Sequence, residues 1–206
     1  MDCSCVRRHP TAMCRLLPNF LVAVQPAAVA GCGVRRSKRV GIRTLAPRGK
    51  TPVLDAWDRR DRLNAISCIT LSPVAGRPGL YFDMLDHKVQ GEAVVAFLNE
   101  LHRRLGPLTV VWDRNQIHSK SKVVKAWLAN HPGVVAEAFP GYVPDLNPNE
   151  GVWGWTNYGR LANLAASDKD ELWDRVVEEL IEVKFRPDLL WGFVRQTGLP
   201  GVSFAA

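Results

Sequence analysis

Two carboxylates in this chain sit where they could do chemistry together. Asp113 closes the apolar run Leu108–Trp112, and Glu150 follows the pair Asn147-Pro148. A continuous apolar run of that length predicts a central strand covered on both faces, with a polar residue at its C-terminal edge. Asn before Pro predicts a helix N-cap with proline at the first helical position, which puts Glu150 in the first turn. Taken alone, an acid there answers the positive end of the helix dipole. With Asp113 it can do more, because an acid ending a central strand and one opening the helix after the next strand can converge at one sheet edge. Such a pair can hold divalent cations: Mg²⁺ prefers oxygen ligands, and two ions about 3.5–4 Å apart activate the attacking oxygen and stabilise the leaving one in phosphoryl transfer. Two acids are the minimum for this, and their repulsion makes the pairing depend on a cation.

The surrounding sequence supplies elements to carry those positions. Residues 66–71 (ISCITL) and 80–85 (LYFDML) are short apolar runs joined by a Pro- and Gly-rich stretch, which predicts a β-hairpin. Over 92–105, Val94, Val95, Phe97, Leu98, Leu101 and Leu105 recur near helical spacing until Gly106-Pro107 stops the pattern. Val123, Val124, Trp127 and Leu128 mark a helix over about 119–130, and a strand follows over 134–139. Trp153, Trp155 and Tyr158 are expected to anchor the helix of Glu150 to the sheet. Residues 167–183 read as an amphipathic helix capped by Ser167 and Asp170, with Leu172, Trp173, Val176, Val177, Leu180 and Ile181 as its apolar stripe. Strand, strand, helix, strand, helix, strand is an α/β order with a mixed sheet.

Composition fits one globular domain. The 206 residues are 47% hydrophobic, with seven Trp and seven Phe, and 23% charged, which excludes a disordered chain and a disulfide-stapled miniprotein. Pro18, Asn19, Gln25 and Pro26 break the most apolar region, so no membrane span is expected and a cytoplasmic location is. The net charge of +7 is unevenly placed: residues 1–50 hold ten Lys or Arg against Asp2 alone, and residues 51–206 hold seventeen bases against nineteen acids. Cys3, Cys5, Cys14 and Cys32 share that basic stretch, while every Trp lies beyond it. Residues 1–43 show no sustained period of 2 or 3.6. They are expected to be an atypical, disordered basic segment ahead of a folded domain over 44–206. A secretory leader is the alternative there, but Pro18 and Pro26 cut an apolar core that should run about 7–15 residues. The cysteines lack zinc-site spacing, and reduced thiols are expected.

Three stretches carry a family resemblance: Leu45-Ala46-Pro47-Arg48-Gly49-Lys50-Thr51-Pro52-Val53-Leu54; Val110-Val111-Trp112-Asp113 with His118 five residues on; and above all Tyr142-Val143-Pro144-Asp145-Leu146-Asn147-Pro148-Asn149-Glu150-Gly151-Val152-Trp153. From about Thr44 to Leu199 the chain resembles the catalytic domain of bacterial insertion-sequence transposases related to the mariner elements, the DDE superfamily endonucleases. The thirty-six residues between Asp113 and Glu150 suit that family's second and third acids. The resemblance implies a ribonuclease-H-like fold, a mixed sheet flanked by helices. It also implies Mg²⁺- or Mn²⁺-dependent cleavage and joining of DNA strands at transposon ends, with water or a DNA 3′-hydroxyl as nucleophile. Asp113 and Glu150 would be the catalytic metal ligands. His118 and Asn115 are candidates to orient a phosphate or a carboxylate beside the metal. Asp145 and Asn147 are expected to shape the loop and cap the helix. Such enzymes work on transposon ends and target DNA as multimers, so a homo-oligomer is a candidate state.

The departure is as informative as the match. The family's first acid lies on its first strand, somewhat over a dozen residues before the position of Leu45, which here falls near residues 28–32. No Asp or Glu occurs anywhere between Asp2 and Asp55. Asp83, mid-strand with Leu80, Phe82 and Met84 facing the other way, is a poor substitute, and Asp55, Asp58 and Asp61 lie in a charged, loop-like stretch. The first strand is therefore expected to be missing or altered and the chain to be inactive as it stands. The rival is a non-catalytic nucleic-acid-binding remnant that holds phosphates through Arg35, Arg36, Lys38 and Arg39. A nuclease with no role in transposition would use the same acids, but the block over 142–153 argues against it. The composition break beside the missing acid suggests a shifted reading frame or a translated, degraded gene end. Codon usage and the two other frames upstream of codon 44 test this: an Asp-bearing strand in another frame is expected, and its absence from both removes the idea.

Overall fold

The computed structural model describes residues 20–30, 48, 62–72, 76–115, 117, 120–141, 143–162, 164 and 166–198. Strands β1 (Phe20–Ala30), β2 (Arg62–Leu71), β3 (Pro78–Leu85), β4 (Leu108–Trp112) and β5 (Val134–Ala138) form one five-stranded sheet in the order β3-β2-β1-β4-β5. β1, β2 and β3 pair antiparallel, and β4 and β5 extend the sheet in parallel from the other side of β1. The helices are α1 (Gly91–Leu105), α2 (Lys122–Ala129), α3 (Pro148–Gly154), α4 (Lys169–Lys184) and α5 (Pro187–Gln196).

Alternation along the strands divides the core into two layers. Ile66 and Cys68 of β2 and Leu108, Val110 and Trp112 of β4 pack with Val94, Phe97, Leu98 and Leu101 of α1 and Val124 of α2. The opposite face of β2, through Leu63, Ala65, Ile69 and Leu71, packs with Val152 and Trp153 of α3, Leu172, Val176 and Leu180 of α4, and Leu190, Phe193 and Val194 of α5. The result is a helix–sheet–helix sandwich with β1 at its centre. Complete burial pushes the Cys68 thiol above its ordinary range, which keeps it neutral.

The hairpin of β2 and β3 and the strands β4 and β5 stand where the apolar runs and the turn residues between them predict them. Gly106 ends α1 with a φ of 79°, a conformation open to glycine, and its N–H donates to His102 O at 2.9 Å. β1 corrects the expectation that residues 1–43 carry no regular element. The stretch FLVAVQPAAVA shows no alternation of polar and apolar residues to read, and its strand character comes from pairing on both edges. Pro26 is a residue that a paired strand interior disfavours. It lies two residues past Val24, the last β1 residue paired to β4, so β1 is bonded there on one side only and a missing N–H is tolerated.

Three further differences are local. The first turn of α4 is capped by Asp168, whose side chain accepts from Glu171 N at 2.8 Å. Ser167 serves instead as donor, from N and Oγ, to Glu171 Oε2. Ile181 leaves the expected stripe and is 43% exposed, because Val183 supplies the inward position. Of the three aromatics expected to anchor α3, Trp153 is buried, but Trp155 and Tyr158 are 37% and 62% exposed. Past Gly154 the chain widens into a π-helical turn, Trp155–Arg160, which carries both rings away from the sheet. No helix among the described residues is long and apolar enough to cross a membrane.

α3 lies close against α5 because Gly151 has no side chain. A Cβ there would stand 2.6 Å from Phe193 Cδ1 and 3.0 Å from Phe193 Cβ, inside contact distance of a buried ring. Gly151→Ala is expected to destabilise the fold by about 1–3 kcal/mol, as overpacked cores do. Phe193→Leu should recover part of the loss in the double variant. Urea midpoints of the four chains measure this, and additive losses would show that the two positions do not press on each other.

Candidate active site

Asp113 follows the last residue of β4 and is half-buried. Its Oδ1 accepts from Asn115 N at 3.2 Å, and Asn115 Oδ1 accepts in turn from Ile117 N at 3.1 Å, so two successive Asx turns shape the loop after the strand. Arg114 Nε donates to Phe139 O at 3.1 Å and Phe139 N to Trp112 O at 2.8 Å, which ties this loop to the end of β5.

Glu150 stands in the first turn of α3 and is exposed. Asn147 caps that helix: its side chain accepts from Asn149 N at 3.2 Å, with Pro148 at the first position, and Glu150 N donates to Asn147 O at 3.0 Å. Asp145 lies exposed in the preceding 3₁₀ turn, Pro144–Leu146.

Ser67 of β2 relates the two acids. Asn149, fully buried, donates through Nδ2 to Ser67 O at 3.2 Å, and Trp153 Nε1 donates to Ser67 Oγ at 3.1 Å. The first turn of α3 is therefore held against the middle of β2. Ser67 pairs with Gln25 of β1, and Val24, one residue earlier, pairs with Trp112 of β4. One more step along the parallel register sets position 25 beside Asp113. Leu108, Val110 and Trp112 belong to the α1 and α2 layer, so alternation assigns Thr109, Val111 and position 113 to the face that carries α3. The structure thus brings Asp113 and the turn bearing Glu150 to one face of the sheet, about the row that Ser67 begins.

The other sequence-predicted residues are not gathered there to the same degree. Asn115 is exposed and engages the loop backbone. His118 and the basic residues Arg35, Arg36, Lys38 and Arg39 lie outside the described residues. Sequence reasoning passed over Ser67 and Asn149. Their signal was a serine in an otherwise buried strand and a polar residue on the sheet side of a helix.

A family model described as DDE superfamily endonuclease matches residues 33–173, more than half of the chain. Among solved structures, the chain is similar to the Mos1 mariner paired-end complex with Mn, at a TM-score of 0.61 and 14% identity over 91% of this chain and 55% of that one. It is also similar to a pre-cleavage Mos1 transpososome, at a TM-score of 0.53 and 14% identity over 95% and 60%. The Mos1 transposase paired-end complex with left transposon end gives 0.52 and 15% over 86% and 55%. The chain spans 55–60% of the length of these structures. No curated protein matches. The likeness establishes a mixed α/β, ribonuclease-H-like fold.

Ser67→Ala leaves the buried Trp153 Nε1 without its acceptor and is expected to cost about 1–3 kcal/mol. Adding Trp153→Phe should return part of that loss, since no donor then remains to be satisfied. Denaturant unfolding of both variants checks it, and a double variant weaker than the sum of the singles would contradict the bond.

Proposed function

Since this chain belongs to the DDE superfamily endonucleases, we propose that it is a transposase catalytic domain whose DNA cleavage and joining are impaired by the loss of one carboxylate. The observation that supports the reading is that Asp113 follows the end of a central strand while the helix turn bearing Glu150 is fastened to the same sheet face. Both are hard oxygen donors of the kind Mg²⁺ or Mn²⁺ takes, and they are the residues that would hold such an ion. The ion's contribution would be to polarise a phosphodiester and lower the pKa of an attacking hydroxyl. Among the described residues no group of three or more His, Cys, Asp or Glu stands together, so the donor set does not fit a pair of ions.

In this reading the partners are transposon-end and target DNA, with a second copy of the chain in the synaptic assembly, and the compartment is the cytoplasm. Mos1 forms paired-end complexes, one of them with Mn. His118 and Asn115 are assigned beside the metal, and Asp145 and Asn147 to shaping the loop.

The charge of residues 1–50 favours one second reading, a DNA-binding remnant that uses Arg35, Arg36, Lys38 and Arg39. Deleting residues 1–43 cannot test it, because the deletion removes β1. Replacing the four bases with Gln can: the remnant reading expects the log–log salt slope of DNA binding to fall by about 0.9 for each phosphate that is no longer neutralised.

The enzymatic reading is tested on an oligonucleotide bearing the element's own end, with Mg²⁺ or Mn²⁺. End binding with cleavage slowed by orders of magnitude relative to complete transposases is expected, and Asp113→Ala should abolish whatever cutting remains. Cutting that survives Asp113→Ala would remove the assigned chemistry.

A further inference from the structure

The sheet register says where the absent acid belongs, and it is not where sequence spacing puts it. Ser67 of β2 pairs with position 25 of β1, and extending the β1–β4 register one residue past its last pair, Val24 with Trp112, sets position 113 in the same row. Ser67 is the residue to which Asn149 and Trp153 fasten α3, so that row lies on the α3 face. Antiparallel partners share a face, as do parallel ones, and position 25 therefore lies on that face between Ser67 and Asp113. Residue 28 pairs with Asn64, whose neighbours Leu63 and Ala65 belong to the α3 layer, so alternation puts 28 on the α1 and α2 face. Two other acids are set aside by the same bookkeeping. Asp83 pairs with Ile66, a member of the α1 and α2 layer; Glu137, paired with Val111, shares the α3 face but stands on β5, across β4 from β1 and not between Ser67 and Asp113.

We infer that Gln25 occupies the position of the missing carboxylate, so that this chain's metal site is complete in backbone and lacks one charge. The inference rests on the proposed transposase reading and deepens it. Glutamine, as long as glutamate and one methylene longer than aspartate, supplies a carbonyl oxygen, but it carries no charge, and a carbonyl is a weaker ligand than a carboxylate for a hard divalent ion. The defect is therefore local: the strand, its pairing and its face are retained, and a single substitution restores the donor.

The test is Mn²⁺ binding by the full chain, followed by the electron paramagnetic resonance signal of free Mn²⁺, which needs neither DNA nor activity. Gln25→Asp is expected to tighten Mn²⁺ at least about tenfold over the unmodified chain, since outer-shell changes alone move metal affinity 10–100-fold. The gain should vanish in Gln25→Asp/Asp113→Ala. Because three acids repel without a cation, Gln25→Asp should also melt lower in EDTA and rise further on adding Mn²⁺ than the unmodified chain does. Gln25→Glu serves as the second variant if Gln25→Asp does not fold. No gain in either variant overturns the inference, as does a gain that persists in the Asp113→Ala background. A gain from Ala28→Asp in place of Gln25→Asp would overturn the position while leaving the transposase reading intact. Cutting that survives Asp113→Ala, in contrast, would sink that reading whatever the Mn²⁺ result.

Discussion

The geometry of the site depends on one buried serine. Ser67 lies mid-strand in β2 with no exposed surface, and it accepts from Asn149 at its carbonyl and from Trp153 at its hydroxyl. A seven-residue helix has little stability of its own, since nucleation is unfavourable and short helices are marginal in water. α3 is held by those two bonds, by the Asn147 cap and by the glycine contact with Phe193. The polar groups among these, Ser67, Asn147, Asn149 and Trp153, are buried, where an unmet polar atom is costly, so the position of Glu150 along the sheet is tightly defined.

The opposite side of the site is defined by the backbone. β4 ends at Trp112, the bonds among Arg114, Phe139 and Trp112 hold that end to β5, and Asx turns at Asp113 and Asn115 settle the loop beyond. β1 lies between the two anchored sides. It contributes a paired backbone to both β2 and β4, and all eleven of its residues are uncharged. A ribonuclease-H-like scaffold can thus persist without its full set of acids, because the forces that assemble the sheet are main-chain hydrogen bonds and apolar burial. Metal-binding carboxylates contribute little to either and, without a cation, repel one another.

The two fold layers show the same separation of roles. α1 and α2 cover the face opposite α3; the α1 stripe was readable from spacing, while the expected α2 stripe of Val123, Val124, Trp127 and Leu128 holds except at Val123, which is 41% exposed. α3, α4 and α5 cover the other face, where the chain departs from regular spacing: a 3₁₀ turn leads into α3, and a π-helical turn leads out of it. That turn exposes Trp155 and Tyr158, while Arg160 at its end pairs with Glu182 of α4 at 2.6 Å. Irregular backbone is concentrated beside the candidate site, as is common where side-chain aim matters more than helix economy.

Legibility in the sequence followed the range of the interaction concerned. The hairpin, α1, β4, β5 and the Asn147-Pro148 start of α3 were readable because alternation, helical period and capping are properties of neighbouring residues. Asp113 and Glu150 could be nominated from those elements and from a family resemblance. β1 was not legible: FLVAVQPAAVA carries no polar–apolar alternation, and its proline is tolerated only because pairing to β4 stops two residues earlier. Nor could spacing assign position 25 to the acidic row, since that follows from hydrogen-bond register between strands far apart in the chain. The sequence by itself determined most of the elements other than β1, and that no Asp or Glu occurs between Asp2 and Asp55. Tertiary structure alone decided that position 25 stands opposite Ser67, because strand register is fixed by pairing across the sheet and not by distance along the chain.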